Sequence, residues 1–484
     1  MDKIKNRINK WNDGTKGPSK YEWIAALVIV LLISFFFCFL KDFKLTVTQA
    51  LTFDSCLFNG KIHKFYSIVN SQALSGYYDA VWENSLSAGA NYSIINYATL
   101  GILCLPFYVF EKITKIGVSF VVYEALIKAV FLVITLYLTK LTGDICDLVS
   151  MEETRAKWVK FCFLTSPVLW YSCLMISQMD IFSLLFLVLG IRASLKNNTK
   201  IELLCYALAV FYKPFALIGI IPIVLLKEKR IIYIVRNLII ALAGIIVQNL
   251  IYGFDPGYAR VQNYMSELYN FSERFFASGF TASRNVYIAN SGYFILFFVI
   301  ICVLAYSVKK MDNYLMFAFP FAAWCSFVMF VKWHPNWFLF MVPFAVMMLG
   351  YTYRAKLMCA VECVFMISFL CVNAMGWLFN YDNDLINGGV LSQVFGLHSE
   401  GGEFGTIRPL LTDKFKAIPT DFYISMLCAA ACAWVVCVIL DAYRYRKGIK
   451  QGGKETEIER GAIWLRIAPM LLFVLYSFIN CFRG

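Results

Sequence analysis

The sequence predicts an all-α polytopic membrane protein, a bundle of transmembrane helices with further helices along one membrane surface. Three observations predict it. Hydrophobic residues make up 60% of the 484-residue chain and charged residues only 15%, against about 45–50% and about 25% in soluble domains. A soluble fold of this length could not bury so much apolar surface and still present a polar exterior. The apolar residues fall in runs of roughly 17–24, the length of a bilayer-spanning helix and too long for the strands of a barrel. Finally, most basic residues sit in short stretches between those runs. The 44 Lys and Arg against 31 Asp and Glu give a net charge of +13. That distribution reads as positive-inside topology, and nucleic acid is not an expected partner.

The same figures exclude a soluble enzyme, a secreted disulfide scaffold and a disordered chain. Of the 16 Cys, nearly all lie inside apolar runs, and only Cys56 sits in a long polar loop. No disulfide framework and no CxxC metal pattern follow. Three His in the whole chain exclude a histidine-rich metal centre.

Residues 1–21 form a basic N-terminus (Lys3, Lys5, Arg7, Lys10, Lys16 and Lys20) without the small-residue cleavage site of a signal peptide. The positive-inside rule assigns it to the cytoplasm. The first span is 22–41. An outer loop, 42–94, follows; it is too apolar for free solvent at Phe53, Leu57, Phe58, Phe65 and Tyr66, so it is expected to form helices along the outer surface. Further spans are expected at 117–138, 158–176, 179–195, 231–251, 291–308, 312–331, 337–350, 357–379, 420–441 and 462–480. Residues 201–226 are long for one span and short for two. Lys213-Pro214 breaks them, so they read as a hairpin of short helices turning at or below the outer surface. Basic connections at 139–160, 192–200, 226–236, 309–310, 351–356 and 444–466 read as cytoplasmic. A parity conflict remains at 95–112. If it crosses as well as 117–138, the basic 139–160 loop lands outside. Either 95–112 is re-entrant or partly submerged, or another boundary lies elsewhere. The expected total is 11 to 13 crossings.

Charges left on the outer face carry the chemistry. Asp42 follows the first span, Asp54 lies in LTFDSCLFNG, and Asp180 opens an apolar run. A carboxylate at the edge of hydrocarbon is costly unless paired, wetted or used. One such group could take a proton from a sugar hydroxyl as general base. A second could orient an acceptor or, with hard oxygen ligands, hold a divalent cation such as Mg or Mn; Asp54 and Asp180 are the candidates for that. Lys213 in the apolar hairpin, Lys332 and His334 between two spans, and Arg260, Arg274 and Arg284 in the 253–290 loop suit a phosphate or pyrophosphate headgroup. Trp333 and Trp337 flank His334. They fit an aromatic belt as well as a substrate platform.

In this order the motifs resemble the GT-C superfamily of integral membrane glycosyltransferases, with the bacterial lipid-dependent mannosyltransferases as the nearest flavour. The resemblance rests on the Asp42–Asp54 loop, NGKIHKFY (Asn59–Tyr66) and NYSIINYATLGILCLP (Asn91–Pro106). It continues with SPVLWYSCLMISQMD (Ser166–Asp180), FYKPFALIGIIP (Phe211–Pro222) and KWHPNWF (Lys332–Phe338). Ser177 stands where Gly is common, while Gln178 and Asp180 are kept. The resemblance covers residues 22–350, a transmembrane catalytic module. Residues 351–484 form a C-terminal transmembrane region with an outer loop at 380–418 and a cytoplasmic loop at 443–466.

The resemblance implies inverting transfer of a sugar, from a polyprenyl-phosphate donor to an extracytoplasmic glycan or lipid-linked acceptor, at the cell inner membrane. Asp54, chosen narrowly over Asp42, would be the base and Asp180 the second acid. Lys213, Lys332 and His334 would meet the donor phosphate. Gln178, Tyr66, Tyr92, Trp333 and Trp337 would line the substrate. Two rivals predict different marks. A transporter or flippase of lipid-linked saccharides predicts polar residues deep in several helices and paired broken helices; Glu124, Lys128, Gln248 and Asn249 are the deep polar residues present. A non-catalytic assembly protein predicts no effect of neutralising Asp54 or Asp180.

Overall fold

The computed structural model describes residues 11–75, 81, 88–259, 291–309, 312–331, 333–376, 385–397, 411, 418–446 and 458–481. Among these, every regular element is helical. Seven helices are long and apolar enough to cross a membrane. An eighth span results if Lys20–Phe36 and Leu40–Phe58, which meet at a 74° bend, form one broken crossing. Three shorter apolar segments, Pro214–Lys227, Gly292–Ser307 and Pro335–Tyr351, add to these. The protein is therefore a multi-pass helical membrane protein.

Helix α1 (Lys20–Phe36) starts in a capping box, with Ser19 and Glu22 exchanging side-chain-to-backbone hydrogen bonds. Such a box satisfies two of the otherwise unpaired donors of a first turn. After the bend, α2 (Leu40–Phe58) and the shorter α3 (Phe65–Leu74) follow. Much of the outer loop expected at 42–94 is therefore helical.

Next come α4 (Ile94–Thr114), α5 (Phe120–Leu148) and α6 (Glu153–Leu164). At 29 residues α5 is longer than the expected 117–138 span. It is about 44 Å long against a hydrocarbon core of about 30 Å, so it continues into the basic stretch expected as a loop.

The expected span 158–176 is not one helix. Pro167 has no N–H to continue α6, and the chain breaks there. The Trp170 indole donates to the Leu164 carbonyl at 2.7 Å and satisfies part of the exposed helix end. A wide turn, Trp170–Met175, follows. Then α7 (Asp180–Leu195) begins. The hairpin expected at 201–226 is present as α8 (Thr199–Tyr212), a tight turn Pro214–Ala216, and α9 (Leu217–Lys227). Helices α10 (Ile231–Tyr252), α11 (Ser291–Ser307) and α12 (Asn313–Phe330) complete the middle of the chain. The expected span 337–350 opens as a tight 3-10 segment, Pro335–Met341, before α13 (Val342–Tyr351). Last are α14 (Ala355–Gly376), the short α15 (Val390–Phe395), α16 (Thr420–Arg446) and α17 (Arg460–Cys481).

The basic connections meet at one end of the bundle. Arg155 donates to the Gly350 and Thr352 carbonyls at 2.7 and 3.0 Å. Arg354 pairs with Asp441 at 2.5 Å, Arg192 with Asp144 at 3.0 Å and Lys227 with Glu202 at 2.6 Å. The Trp158 indole reaches the Gly14 carbonyl at 2.8 Å, and Arg460 pairs with Glu22 at 3.4 Å. Lys229 donates to the Ala305 carbonyl at 2.9 Å.

The contacts of α4 bear on the parity conflict at 95–112. Its first turn meets the ends of α8 and α10 far from the basic connections: Asn96 donates to the Tyr212 carbonyl at 3.0 Å, and Ile94 N–H donates to Gln248 at 2.7 Å. Its last turns run into the start of α5, with Phe107 edge-on to Tyr123, their centroids 5.5 Å apart. The start of α5 in turn packs on Phe43 of α2. Both ends of α4 therefore belong to the same end of the bundle, and α4 lies along it beside α2. Although long and apolar enough to cross, α4 need not do so. The basic stretch 139–160 then falls with the other basic connections.

Candidate functional site

The bend between α1 and α2 and the break before α7 meet at the end of the bundle opposite the basic connections. Lys128 of α5 joins them. Its ammonium donates to the Phe37 carbonyl at 2.5 Å, the Leu174 carbonyl at 3.2 Å and the Ser177 hydroxyl at 2.7 Å. Ser177 has φ +64°, in the left-handed region that favours glycine. The lysine contact offsets part of that strain.

Held this way, the two interruptions present a ring of polar side chains. Gln178 donates to Asp42 Oδ2 at 2.5 Å and accepts from the Tyr92 hydroxyl at 3.0 Å. The Tyr92 ring lies 4.7 Å from the Lys213 ammonium, a cation–π contact. Lys213 pairs with Asp180 Oδ1 at 3.2 Å, and Asn336 donates to Asp180 Oδ2 at 2.6 Å. The Ser172 hydroxyl donates to the Pro335 carbonyl at 2.6 Å, so the second interrupted segment is bound to the first. Asp180 is 3% exposed. Helix α7 has 16 residues, so it is about 24 Å long, shorter than the hydrocarbon core, and Asp180 is sunk below the bundle end.

Asp42 opens α2, beyond the spanning part of α1. Burial raises its carboxyl above the ordinary value; the Gln178 hydrogen bond and the Lys213 charge oppose the rise, and the Asp180 charge adds to it. A carboxylate so tuned is a better proton acceptor than a free surface Asp.

Asp54 stands apart. It lies twelve residues after Asp42 on the same helix, so the two are about 18 Å apart along the axis and about 120° apart around it. Its Oδ1 lies against Gly101 of α4, where a Cβ would come within 2.5 Å, and its buried Oδ2 has no hydrogen-bond partner. Burial pushes this carboxyl up to about 7. Asp54 therefore packs against α4, while Asp180 lies in the ring with Lys213 and Asn336. Asp180 is a poor cation ligand, since its oxygens face an ammonium and an amide donor. Among the described residues no three His, Cys, Asp or Glu gather as a metal-binding group.

The remaining candidates divide. Tyr66 is fully buried and sits behind the ring: its hydroxyl donates to the Tyr92 carbonyl at 3.0 Å, and its ring packs on Tyr252 and Tyr258. Trp337 packs at a tilt on Phe215, ring centroids 4.1 Å apart, next to the Lys213 turn, with the His334 ring 4.9 Å away. Trp333 is wedged against Phe338 and Phe369 and is a packing residue. Lys332, Arg260, Arg274 and Arg284 lie outside the described residues. Asn336 and the positioning role of Lys128 are additions from the structure. Their signal in the sequence is a buried amide after Pro335 and a lysine deep in an apolar run.

No protein-family model matches the chain, and no curated protein matches it at a significant level.

Proposed function

We propose that this protein is a membrane glycosyltransferase that moves a sugar from a polyprenyl-phosphate donor to a glycan or glycolipid acceptor outside the cytoplasm. The observation that carries the reading is the ring joining Asp42, Gln178, Tyr92, Lys213 and Asp180 at one end of the bundle. The opposite end holds the basic connections, and the positive-inside rule makes that end cytoplasmic. The ring then lies towards the far side, where lipid-linked donors present their headgroups.

In this reading Asp42, not Asp54, is the base. It withdraws the acceptor hydroxyl proton as the oxygen attacks the anomeric carbon and the bond to the phosphate breaks. Lys213 meets the phosphate, whose charge grows as it leaves, so the ammonium stabilises the transition state more than the ground state. Asp180 and Asn336 hold Lys213 and the interrupted segment in place. The lipid tail of the donor keeps it at the membrane edge and reduces the entropy cost of encounter. No divalent cation is assigned a role.

One observation favours a second reading, transport of a lipid-linked saccharide. Two interrupted helices meet, with Glu124 and Lys128 buried behind them, which is also how transporter sites are built. Purified protein in lipid nanodiscs, given a panel of polyprenyl-phosphate sugars and acceptor glycans, separates the two. Release of free polyprenyl phosphate with product glycan supports the transferase. Saccharide movement across proteoliposomes without bond cleavage supports transport.

A further inference from the structure

A cavity opens at the same end of the bundle, away from the ring. It has a volume of about 880 Å3 and lies between α2, α3 and the C-terminal turns of α4. That volume falls in the range of about 300–1,000 Å3 typical of sites for small organic ligands. We propose that this cleft binds an anionic saccharide of about disaccharide size, carrying phosphate, sulfate or carboxylate groups. The proposal is independent of the transferase reading.

Two features of the lining point to that chemistry. The first is a polar stripe. Thr48, Thr52, Ser55 and Asn59 of α2 all line the cavity, and their spacing of four, three and four residues puts them on one helix face. Gln72 of α3 stands across from them and accepts from the Thr52 hydroxyl at 3.0 Å, which leaves its amide donors to the cleft. The Thr48 and Thr52 hydroxyls and the Asn59 amide donate to carbonyls of their own helix, so the stripe offers mainly acceptor oxygens for sugar hydroxyls, with the Gln72 amide as the donor across from them.

The second feature is charge. Lys61, Lys112 and Lys115 all line the cleft, and Glu111 is the one acid among the lining residues. Glu111 is already used: it accepts from the Val118 N–H at 2.6 Å. Lys112 lies 5.2 Å from the centre of the Tyr108 ring, which itself stacks on Phe58. Lysines at a helix C-terminus do complement the helix dipole. That accounts for Lys112 and Lys115 singly. It does not account for Lys61, which arrives from beyond the end of α2, nor for the open volume between the three. Ammonium groups held around a hydrated cleft attract a multiply charged anion more strongly than a lone lysine does.

The test is a binding measurement on the full-length protein in phosphatidylcholine nanodiscs. Sulfated disaccharide is titrated beside maltose and inorganic phosphate, and the titration is repeated in phosphatidylglycerol nanodiscs. The expected result is binding of the sulfated disaccharide that exceeds both controls and weakens with salt. Affinity is expected to fall at least tenfold in the triple variant K61Q/K112Q/K115Q. Ser55→Trp fills the cleft without changing its charge and is expected to abolish binding. Equal binding of maltose, unchanged affinity in either variant, or no binding of the sulfated disaccharide overturns the proposal. Lysine-dependent binding that vanishes in phosphatidylglycerol nanodiscs overturns it in favour of a lipid headgroup.

Discussion

Neutralising Asp180 tests whether the ring is a coupled unit. Asp180→Asn keeps the side-chain shape and removes one charge from the Lys213 pair. At 3.2 Å and an effective dielectric of about 20, the lost attraction is about 5 kcal/mol. Desolvation of both groups offsets much of it in the intact protein, since the Lys213 side chain is only 12% exposed. Removing one partner leaves the other buried and uncompensated, at a cost of about 3–5 kcal/mol. Lys213→Met should cost a similar amount by leaving Asp180 beside Asp42. The double variant removes both charges, so it should be more stable than the sum of the singles by about 1–3 kcal/mol. The assay is the midpoint of heat-induced loss of monodisperse protein in detergent for all four species. If the two losses simply add, Asp180 and Lys213 are not paired and the ring is not a unit.

Other consequences follow from neighbouring contacts. Lys128→Met strips two carbonyls and the Ser177 hydroxyl of a charged donor, at about 1.5–3 kcal/mol per bond before relaxation. Backbone exchange at Ser177, Gln178 and Met179 should rise at least tenfold by hydrogen–deuterium mass spectrometry, and unchanged protection would remove Lys128 from its positioning role. For Asp54 the folded carboxyl, at about 7, lies above its unfolded value of 3.8. The folded state therefore favours the protonated form, and stability is highest at low pH and falls between about pH 4 and 7. Asp54→Asn should be more heat-stable than the parent at pH 8, and the gain should shrink towards zero by pH 4; a constant difference across that window would contradict it. Gly101→Ala places a methyl group 2.5 Å from Asp54 Oδ1. It should destabilise by about 1–3 kcal/mol through overpacking, and Asp54→Ala in the same chain should restore most of the loss in thermal midpoint.

Much of the bundle was legible in the sequence because lipid imposes one solution, long apolar helices, that hydropathy reads directly. The hairpin at Lys213 was also legible, because proline breaks a helix for local reasons. The course of α4 was not. Its length and hydropathy are those of a span, and it is the contacts with Tyr212, Gln248 and Tyr123 that keep both ends at one face. The break inside 158–176 was obscured for a similar reason, since hydropathy does not register a proline within an apolar run.

The site was legible as a list of residues and not as a grouping. Asp42, Asp180 and Lys213 were each singled out by charge and depth, and Gln178 by the resemblance, yet nothing in their spacing joins them. Choosing between Asp42 and Asp54 required knowing that one helix carries both, because twelve helical residues separate them by half a membrane thickness. Tyr66 shows the limit of reading a motif: only the structure shows that it is fully buried with its hydroxyl on the Tyr92 carbonyl.

If Asp42 accepts the proton in sugar transfer and Asp54 serves the fold, neutralising each must have a different effect on the chemical step. The most direct measurement is the single-turnover rate of sugar transfer from a polyprenyl-phosphate donor by the parent protein, Asp42→Asn and Asp54→Asn, at saturating donor and acceptor. The expected result is a loss of about 10²–10⁴-fold for Asp42→Asn, the usual worth of a general base, with Asp54→Asn within a few fold of the parent. Full activity in Asp42→Asn, or a loss confined to Asp54→Asn, would contradict it.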